Sequence, residues 1–367
     1  MVTILVAPLL VGGICAVLAA LLVLAERTLV NYGTCRIDIN QGGKQLEVKG
    51  GRPLLATLMA ESIFIPSACG GRGTCAYCKV HVLEGGGPVA PTEATLLSDE
   101  ERKADVRISC QLKVRNDLAI EIPEELFRVR QFTGVVERIR DLTHDIKEVR
   151  VRLAEPDAID FTPGQYVQLQ APAYGKNPEP VYRAYSISSP PSDGGHVEMM
   201  IRLVPGGICT TWVFEILKEG DEVHLNGPYG EFRLSDDSGK EMIWIAGGSG
   251  MAPFWSIVRD LREKKAERKC TYFFGAVAER DLFLLDEFRA LEKELPGFRF
   301  LPALSGADQD GWAGEKGLIT EVVGRHLPDG EGKEGYLCGS GGMIDASVKV
   351  LTAKGIPEER IYYDKFT

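Results

Sequence analysis

Four cysteines, with no histidine among them, carry the most specific chemistry in this sequence: Cys69, Cys75 and Cys78 in one glycine-rich run, and Cys110 further on. A 2Fe–2S core needs four thiolates, and a tight loop giving three of them, with the fourth from a distance, is one way chains supply the set. The run reads C-x5-C-x2-C. Gly70, Gly71 and Gly73 suit a loop that must adopt left-handed backbone and bring N–H groups up to the sulfurs. The alternative is a structural zinc site. Zinc ribbons usually pair two C-x2-C knuckles, whereas this chain has one knuckle and two single cysteines. A disulfide framework is weaker still, because 367 residues suffice for ordinary cores. Cys15, Cys35, Cys209, Cys270 and Cys338 are scattered, and the odd total of nine fits a reducing compartment.

A second constellation lies at Arg183, Tyr185, Ser186 and Ser189. An arginine can neutralise a pyrophosphate, a tyrosine ring can stack on a flavin, and a serine hydroxyl can hydrogen-bond near the flavin's reactive N5. Singly each is ordinary, and a tyrosine on a barrel strand is commonly just packed in the core. With Gly207, Thr210 and Thr211, where N–H groups opening a helix can hold phosphate, the set reads as an FAD site with Ser186 as a catalytic residue. A third constellation is Gly247, Gly248, Ser249, Gly250, Met251 and Pro253, between an apolar strand and a helix. Such glycines let nucleotide phosphates approach the backbone at the helix N-terminus. The stretch Cys338, Gly339 to Met343 ends another strand of the same sheet, and ligands collect at such carboxyl ends. Together they read as an NADH site. Cys338 is a candidate on the nicotinamide side, with an inert buried thiol as the alternative. Glu279 and Asp281 favour a free ribose hydroxyl over a phosphate, while Arg280 keeps NADPH open.

The elements that must position these residues fall into four segments. Val2 to Ala25 carries no charge and is rich in Leu, Val, Ile and Ala, and roughly 20 such residues cross a hydrocarbon core. A transmembrane anchor over 1–30 is expected. A cleaved signal peptide is the alternative, but no positively charged stretch precedes the apolar run. Arg27, Arg36 and Lys44 follow the span, which places the rest of the chain on the cytoplasmic side of a bacterial inner membrane, crossed once. Residues 31–127 show short alternating strands, a helix over Pro53–Ser62, a second over Thr92–Lys103, and a closing strand Leu118–Ile122: a β-grasp 2Fe–2S domain in outline. Residues 128–237 carry repeated strands between turns, an antiparallel FAD-binding barrel. Residues 238–367 alternate strand and helix, a doubly wound parallel NAD-binding sheet. The fold class is therefore α+β and α/β multidomain behind one helix. Basic residues number 42 against 52 acidic, a net charge of −10; a nucleic-acid partner has no footprint here.

These motifs resemble the ferredoxin-NADP reductase superfamily, through Arg183-x-Tyr185-Ser186, Gly247 to Pro253, and Cys338-Gly339. With a membrane helix and a C-x5-C-x2-C domain ahead of them, the order resembles the F subunits of sodium-translocating NADH:quinone oxidoreductases. Ser340 stands where the Cys-Gly element of that family usually continues with proline. The resemblance implies an FAD- and 2Fe–2S-containing NADH dehydrogenase whose partners are other membrane subunits of a quinone reductase complex. It also implies that the terminal aromatic, here Phe366, lies near the flavin ring as a further catalytic residue. Reductases that feed oxygenases share the three soluble modules, and a membrane-tethered redox sensor is a non-enzymatic alternative.

Overall fold

The computed structural model describes residues 12–19, 32–67, 69–235, 239–306 and 311–366. The expected anchor falls mostly outside these. Of its span, residues 12–19 form a helix, α1, with exposed side chains, and among the described residues no helix is long and apolar enough to cross a membrane. The chain divides into two compact units, residues 1–65 with 71–128, and residues 66–70 with 129–367.

The first unit is a five-stranded mixed sheet of β1 (Thr34–Ile39), β2 (Lys44–Lys49), β3 (Lys79–Glu84), β4 (Val106–Ile108) and β5 (Leu118–Glu121), in the order β2-β1-β5-β3-β4. β1 and β5 run parallel and the other pairs antiparallel. Alternation in β1 sends Cys35, Ile37 and Ile39 inward, as a half-buried strand requires. There they meet Leu54, Leu55 and Leu58 of α2 (Leu54–Ala60). The single helix expected over Thr92–Lys103 is instead two, α3 (Pro91–Ala94) and α4 (Asp99–Lys103). Ser98 is the reason: its hydroxyl accepts from Glu101 N at 3.2 Å while Glu101 returns to Ser98 N at 2.9 Å, a capping box that starts a new helix.

The second unit holds two sheets. Six antiparallel strands, β6 (Arg130–Asp141), β7 (Ile146–Glu155), β8 (Tyr166–Ala171), β9 (Val181–Ser186), β10 (His196–Arg202) and β11 (Glu222–Tyr229), run in the order β10-β7-β6-β11-β8-β9. An antiparallel bridge between Ile187 and Met199 links the two ends. The closed sheet is filled by Val149, Val151, Val167, Leu169, Val197, Ile201 and Leu225, and α5 (Ile208–Glu215) caps it with Trp212 and Val213.

The other sheet is fully parallel, ordered β15-β14-β13-β12-β16-β17. Its strands are β12 (Glu241–Gly247), β13 (Cys270–Ala276), β14 (Phe298–Leu304), β15 (Glu315–Lys316), β16 (Lys333–Ser340) and β17 (Ile361–Phe366). Both faces are covered. Trp244, Tyr272 and Phe300 meet Phe254 of α6 (Met251–Glu263) and Phe288 of α7 (Leu285–Glu294) on one side. Ile243, Ile245, Phe273 and Leu337 meet α8 (Ile319–His326) and α9 (Gly341–Ala353) on the other. Strands buried on both faces read as continuous apolar runs, and Met242 to Ala246 is one. The order of winding reverses between β12 and β16, where a doubly wound sheet opens its ligand crevice.

Candidate functional site

The cysteine run is built from forced backbone. Gly70, Gly71, Gly73 and Ala76 have φ of +64°, +83°, +71° and +57°, and three of these four are glycine because side chains disfavour that region. A Cβ on Gly73 would meet the Gln111 amide at 2.4 Å, and that amide donates to Cys110 Sγ at 3.7 Å. Cys78 and Cys110 are buried, and Cys69 and Cys75 partly so. The Cys78 and Cys110 thiols hydrogen-bond to each other, and this bond, with burial, pushes Cys78 far up. Among the described residues no group of three or more His, Cys, Asp or Glu side chains could hold a metal ion. A 2Fe–2S core distributes four thiolates over two irons and so asks for pairs; Cys78 with Cys110 is one. Ser109, whose buried hydroxyl finds no nitrogen or oxygen partner, adjoins Cys78. A spare donor beside sulfur is what a cluster thiolate would take up. The donor set therefore fits the group.

Sequence reasoning missed the support of this strand. Glu93 and Arg107 form a buried pair, with Arg107 Nε to Glu93 Oε2 at 2.8 Å and Nη2 to Oε1 at 2.6 Å. Glu93 also accepts from Ile108 N at 3.2 Å, and Arg107 donates to Gly86 O at 2.6 Å. The strand that leads into Cys110 is thereby pinned on both sides. An arginine between two apolar residues, Val106 and Ile108, was the available signal.

In the barrel, Arg183, Tyr185 and Ser186 share β9, and register places Tyr185 opposite Val167 and Ser186 opposite Tyr166. Arg183 donates to Tyr182 O at 2.7 Å. Tyr185 OH is buried with no nitrogen or oxygen partner, and so are Gln168 Nε2 on β8 and Asn226 Nδ2 on β11. Buried polar atoms are normally satisfied, so the Tyr185 phenol, on the face of β9 it shares with Arg183, fits a polar group that belongs there; Gln168 and Asn226 are register partners on the opposite face. Burial raises the Tyr185 phenol, with the Cys209 thiol beside it. Gly207 caps α5 because a Cβ there would meet Thr210 Oγ1 at 2.6 Å. The Thr210 hydroxyl is engaged within its own loop, accepting from Val204 N at 3.2 Å, which leaves backbone N–H groups as the phosphate donors. Thr211 N is bonded to Gly207 O at 2.9 Å. Tyr174, which the sequence did not single out, donates its hydroxyl to Ile208 O and clamps the start of this helix.

Ser189 lies apart from the β9 residues in role. Its hydroxyl accepts from Glu198 N at 3.3 Å, and its carbonyl accepts from Ser256 Oγ on α6 at 2.6 Å. Arg259, one turn along α6, reaches Ser188 O and meets Glu198 Oε2 at 2.7 Å. Glu198 is nine-tenths or more buried, and Arg150 holds its other oxygen at 2.7 Å. Burial alone would raise its carboxyl; the two arginines overcome this and hold it below the usual range. The nucleotide sheet is thus hydrogen-bonded to the barrel through one helix.

The glycine turn and the Cys338 element converge. Ala246 and Cys338 are register partners on β12 and β16. A Cβ on Gly250 would lie 2.3 Å from Cys338 O, and one on Gly339 would lie 2.9 Å from Met343 Cε and 3.3 Å from Gly247 O. Gly248, Ser249 and Gly250 make a 3-10 turn that runs into α6, with Met251 and Pro253 buried in its first turn. Cys338 is wholly buried, and burial pushes its thiol well up. Phe366 ends β17 opposite Ser340. Two residues before it Asp364 pairs with Cys338, its carboxyl pushed up by burial to about 6. Of the expected ribose-side carboxylates, Asp281 accepts from Ala278 N at 2.9 Å and so closes its own turn, while Glu279 and Arg280 are exposed.

Three modules in one chain, thiol-rich loop, antiparallel barrel and doubly wound sheet, define an iron–sulfur flavoprotein reductase. Family models agree: "2Fe-2S iron-sulfur cluster binding domain" matches residues 34–115, "Oxidoreductase FAD-binding domain" residues 133–234, and "Oxidoreductase NAD-binding domain" residues 244–349. The F subunit of the Na(+)-translocating NADH-quinone reductase of Pseudomonas aeruginosa is 37% identical, over 95% of this chain and 95% of that one. Its counterpart from Neisseria meningitidis is 35% identical, over 95% and 96%. The chain belongs to this family of F subunits. Among solved structures, the Amycolatopsis cytochrome P450 reductase GcoB is similar at a TM-score of 0.74 and 31% identity, over 91% of this chain and 99% of that one. The ferredoxin reductase in carbazole 1,9a-dioxygenase is similar at 0.70 and 27%, over the same shares.

Proposed function

We propose that this chain is the electron-input subunit of a membrane-bound, sodium-translocating NADH:quinone reductase, oxidising NADH and passing its electrons on to partner subunits. The observation that carries this is the convergence of Gly247–Gly250 and Cys338–Gly339 at neighbouring strand ends, on a sheet bonded to a flavin-type barrel. Nicotinamide gives electrons in pairs and a 2Fe–2S centre takes them singly, so bound FAD supplies the conversion between them. Arg183, Tyr185 and Ser186 would hold the flavin, with backbone N–H groups of Ile208 to Thr210 on its phosphates, those of Gly207 and Thr211 being taken by Val204 O and Gly207 O. Cys69, Cys75, Cys78 and Cys110 would ligate the cluster.

The turn Gly247 to Met251 takes the nucleotide phosphates, and Gly339 clears space where any side chain would strike Met343. Cys338 would stand at the nicotinamide end and Phe366 near the flavin ring. No side chain is required as general acid or base, because hydride moves without a separate proton. The functional divisions are 31–127, 128–237 and 238–367, preceded by a single-pass anchor over 1–30 that leaves the reductase on the cytoplasmic face of the inner membrane. Exposed Glu279 favours NADH over NADPH.

Purification from native membranes followed by anaerobic NADH titration tests the reading. Flavin bleaching, then a reduced-cluster paramagnetic signal, with hydrophobic subunits and quinone reductase activity in the same fraction, is expected. Recovery alone, with electrons delivered to an oxygenase component, would place the chain with the oxygenase reductases. A preference for NADPH would overturn the nucleotide assignment.

A further inference from the structure

One amide joins the distant cysteine to the three-cysteine loop. Gln111 follows Cys110 and donates from Nε2 to Cys110 Sγ at 3.7 Å. The same side chain lies across the loop: a Cβ on Gly73 would meet Gln111 Nε2 at 2.4 Å, Cδ at 2.9 Å and Cγ at 3.4 Å. Gly73 has φ +71°, so backbone and neighbour both reserve that position for glycine. The main chain around Gln111 is held independently of its side chain. Gln111 N donates to Ile108 O at 2.8 Å, Ser109 N to Cys78 O at 2.9 Å, and Leu55 N to Ser109 O at 3.0 Å. The turn that carries Cys110 is thereby tied to Cys78 and to helix α2. Ser109 is wholly buried, and its hydroxyl, with no nitrogen or oxygen partner, adjoins Cys78. Each member of the Cys78 and Cys110 pair therefore has its own side-chain donor, a hydroxyl for the first and an amide for the second. All of these residues belong to the first compact unit.

We propose that Gln111, seconded by Ser109, is a positioning residue of the 2Fe–2S centre: its amide fastens Cys110 against the three-cysteine loop and, as a donor to sulfur, raises the potential at which the centre accepts an electron. Reduction adds one negative charge to a core already ligated by thiolates, and donors to the sulfurs stabilise the more negative state. A turn whose backbone is already bonded presents those donors without further ordering, which is what a supporting shell must do to hold a site to its geometry. Neither an amide nor a hydroxyl gains or loses a proton near neutrality, so the contribution of both is independent of pH there. The inference rests on the cluster reading above and deepens it: four thiols bind the centre, and two residues that do not ligate it set its potential and its retention.

The test uses the full chain, loaded with FAD and cluster, and its Gln111→Met, Gln111→Glu and Ser109→Ala variants. Thr57→Ala is the control, since the Thr57 hydroxyl donates to Pro53 O at 3.0 Å in the same unit and touches no sulfur. Midpoint potentials are read by paramagnetic resonance during anaerobic redox titration, and retention by the rate of iron release to a chelator. Gln111→Met keeps the length of the side chain and removes the donor without adding charge. It should favour the oxidised centre on the order of tenfold, a downward shift of about 59 mV for one electron, and speed iron release on the order of tenfold. Gln111→Glu should shift the potential at least as far, Ser109→Ala less far in the same direction, and Thr57→Ala not at all. Deuterium exchange should move the Fe–S stretching bands of the resonance Raman spectrum in the wild type, and move them less in Gln111→Met. An unchanged potential in Gln111→Met, or an equal shift in Thr57→Ala, overturns the proposal. Should the methionine variant assemble no cluster, Gln111→Glu decides by the same comparison. A wild-type chain that takes up no cluster at all would sink the underlying reading instead, and that result precedes every variant.

Discussion

The cysteine loop and the nucleotide sheet make their sites from opposite materials. In the loop the working atoms are side chains, three thiols answered by Cys110 after β4, and the backbone bends to present them. In the sheet the working atoms are main-chain, and side chains are removed to expose them: a Cβ on Gly250 would run into Cys338 O at 2.3 Å. The lesson is that the first kind of site is lost by deleting atoms and the second by adding them.

The largest expected effect comes from deletion. Cys75→Ala should abolish the visible absorption of the cluster while NADH still reduces the flavin, because the loop and the nucleotide sites lie in differently folded modules; loss of flavin reduction as well would break the comparison. Next is the carboxylate that ties sheet to barrel. Glu198→Gln leaves Arg150 and Arg259 facing a neutral amide and should cost about 3 kcal/mol by calorimetry at neutral pH. Since the carboxyl lies below its usual range when folded, its contribution is present above the unfolded carboxylate pKa and is lost as pH falls. A cost below about 0.5 kcal/mol would mean that the network adds little.

Addition of one methyl comes third. Gly250→Ala should destabilise by about 2 kcal/mol, the cost of overpacking, and raise KM for NADH. Gly341→Ala, where nothing lies within 4 Å of the new methyl, should do neither; equal effects in both would refute the distinction. The smallest effect concerns Asp364. Its folded pKa of about 6 lies above the unfolded value. Wild-type stability should therefore fall as pH rises from about 4 to 6. Asp364→Asn should lose that slope, so the difference in Tm between variant and wild type should widen over this interval and then level off.

Most of this architecture was legible because local chemistry and global fold agree. The apolar run Met242 to Ala246 announces a strand buried on both faces, and the glycines at 247, 248 and 250 announce the turn. The thiol set was legible from identity and spacing. Less was visible where partners lie far apart in sequence. Glu198 and Arg259 are 61 residues apart, Arg107 and Glu93 14, and nothing in either local pattern names the other. The split at Ser98 was readable in principle, since Ser98 and Glu101 spell a capping box; the apolar and charged periodicity on both sides hid it. β9 begins at Val181, ahead of the Arg183 to Ser186 motif, and the extended chain from Val181 completes its register with β8.

Helix α6 begins at the nucleotide turn and, within its second turn and just beyond, is fastened to the barrel by Ser256 and Arg259. A single rod so attached works as a spacer of set length between two docking stations. The gap a hydride must jump is then written into the covalent rise of a helix, and a residue inserted between Met251 and Ser256 would retune the reach of the whole reductase without touching any cofactor ligand.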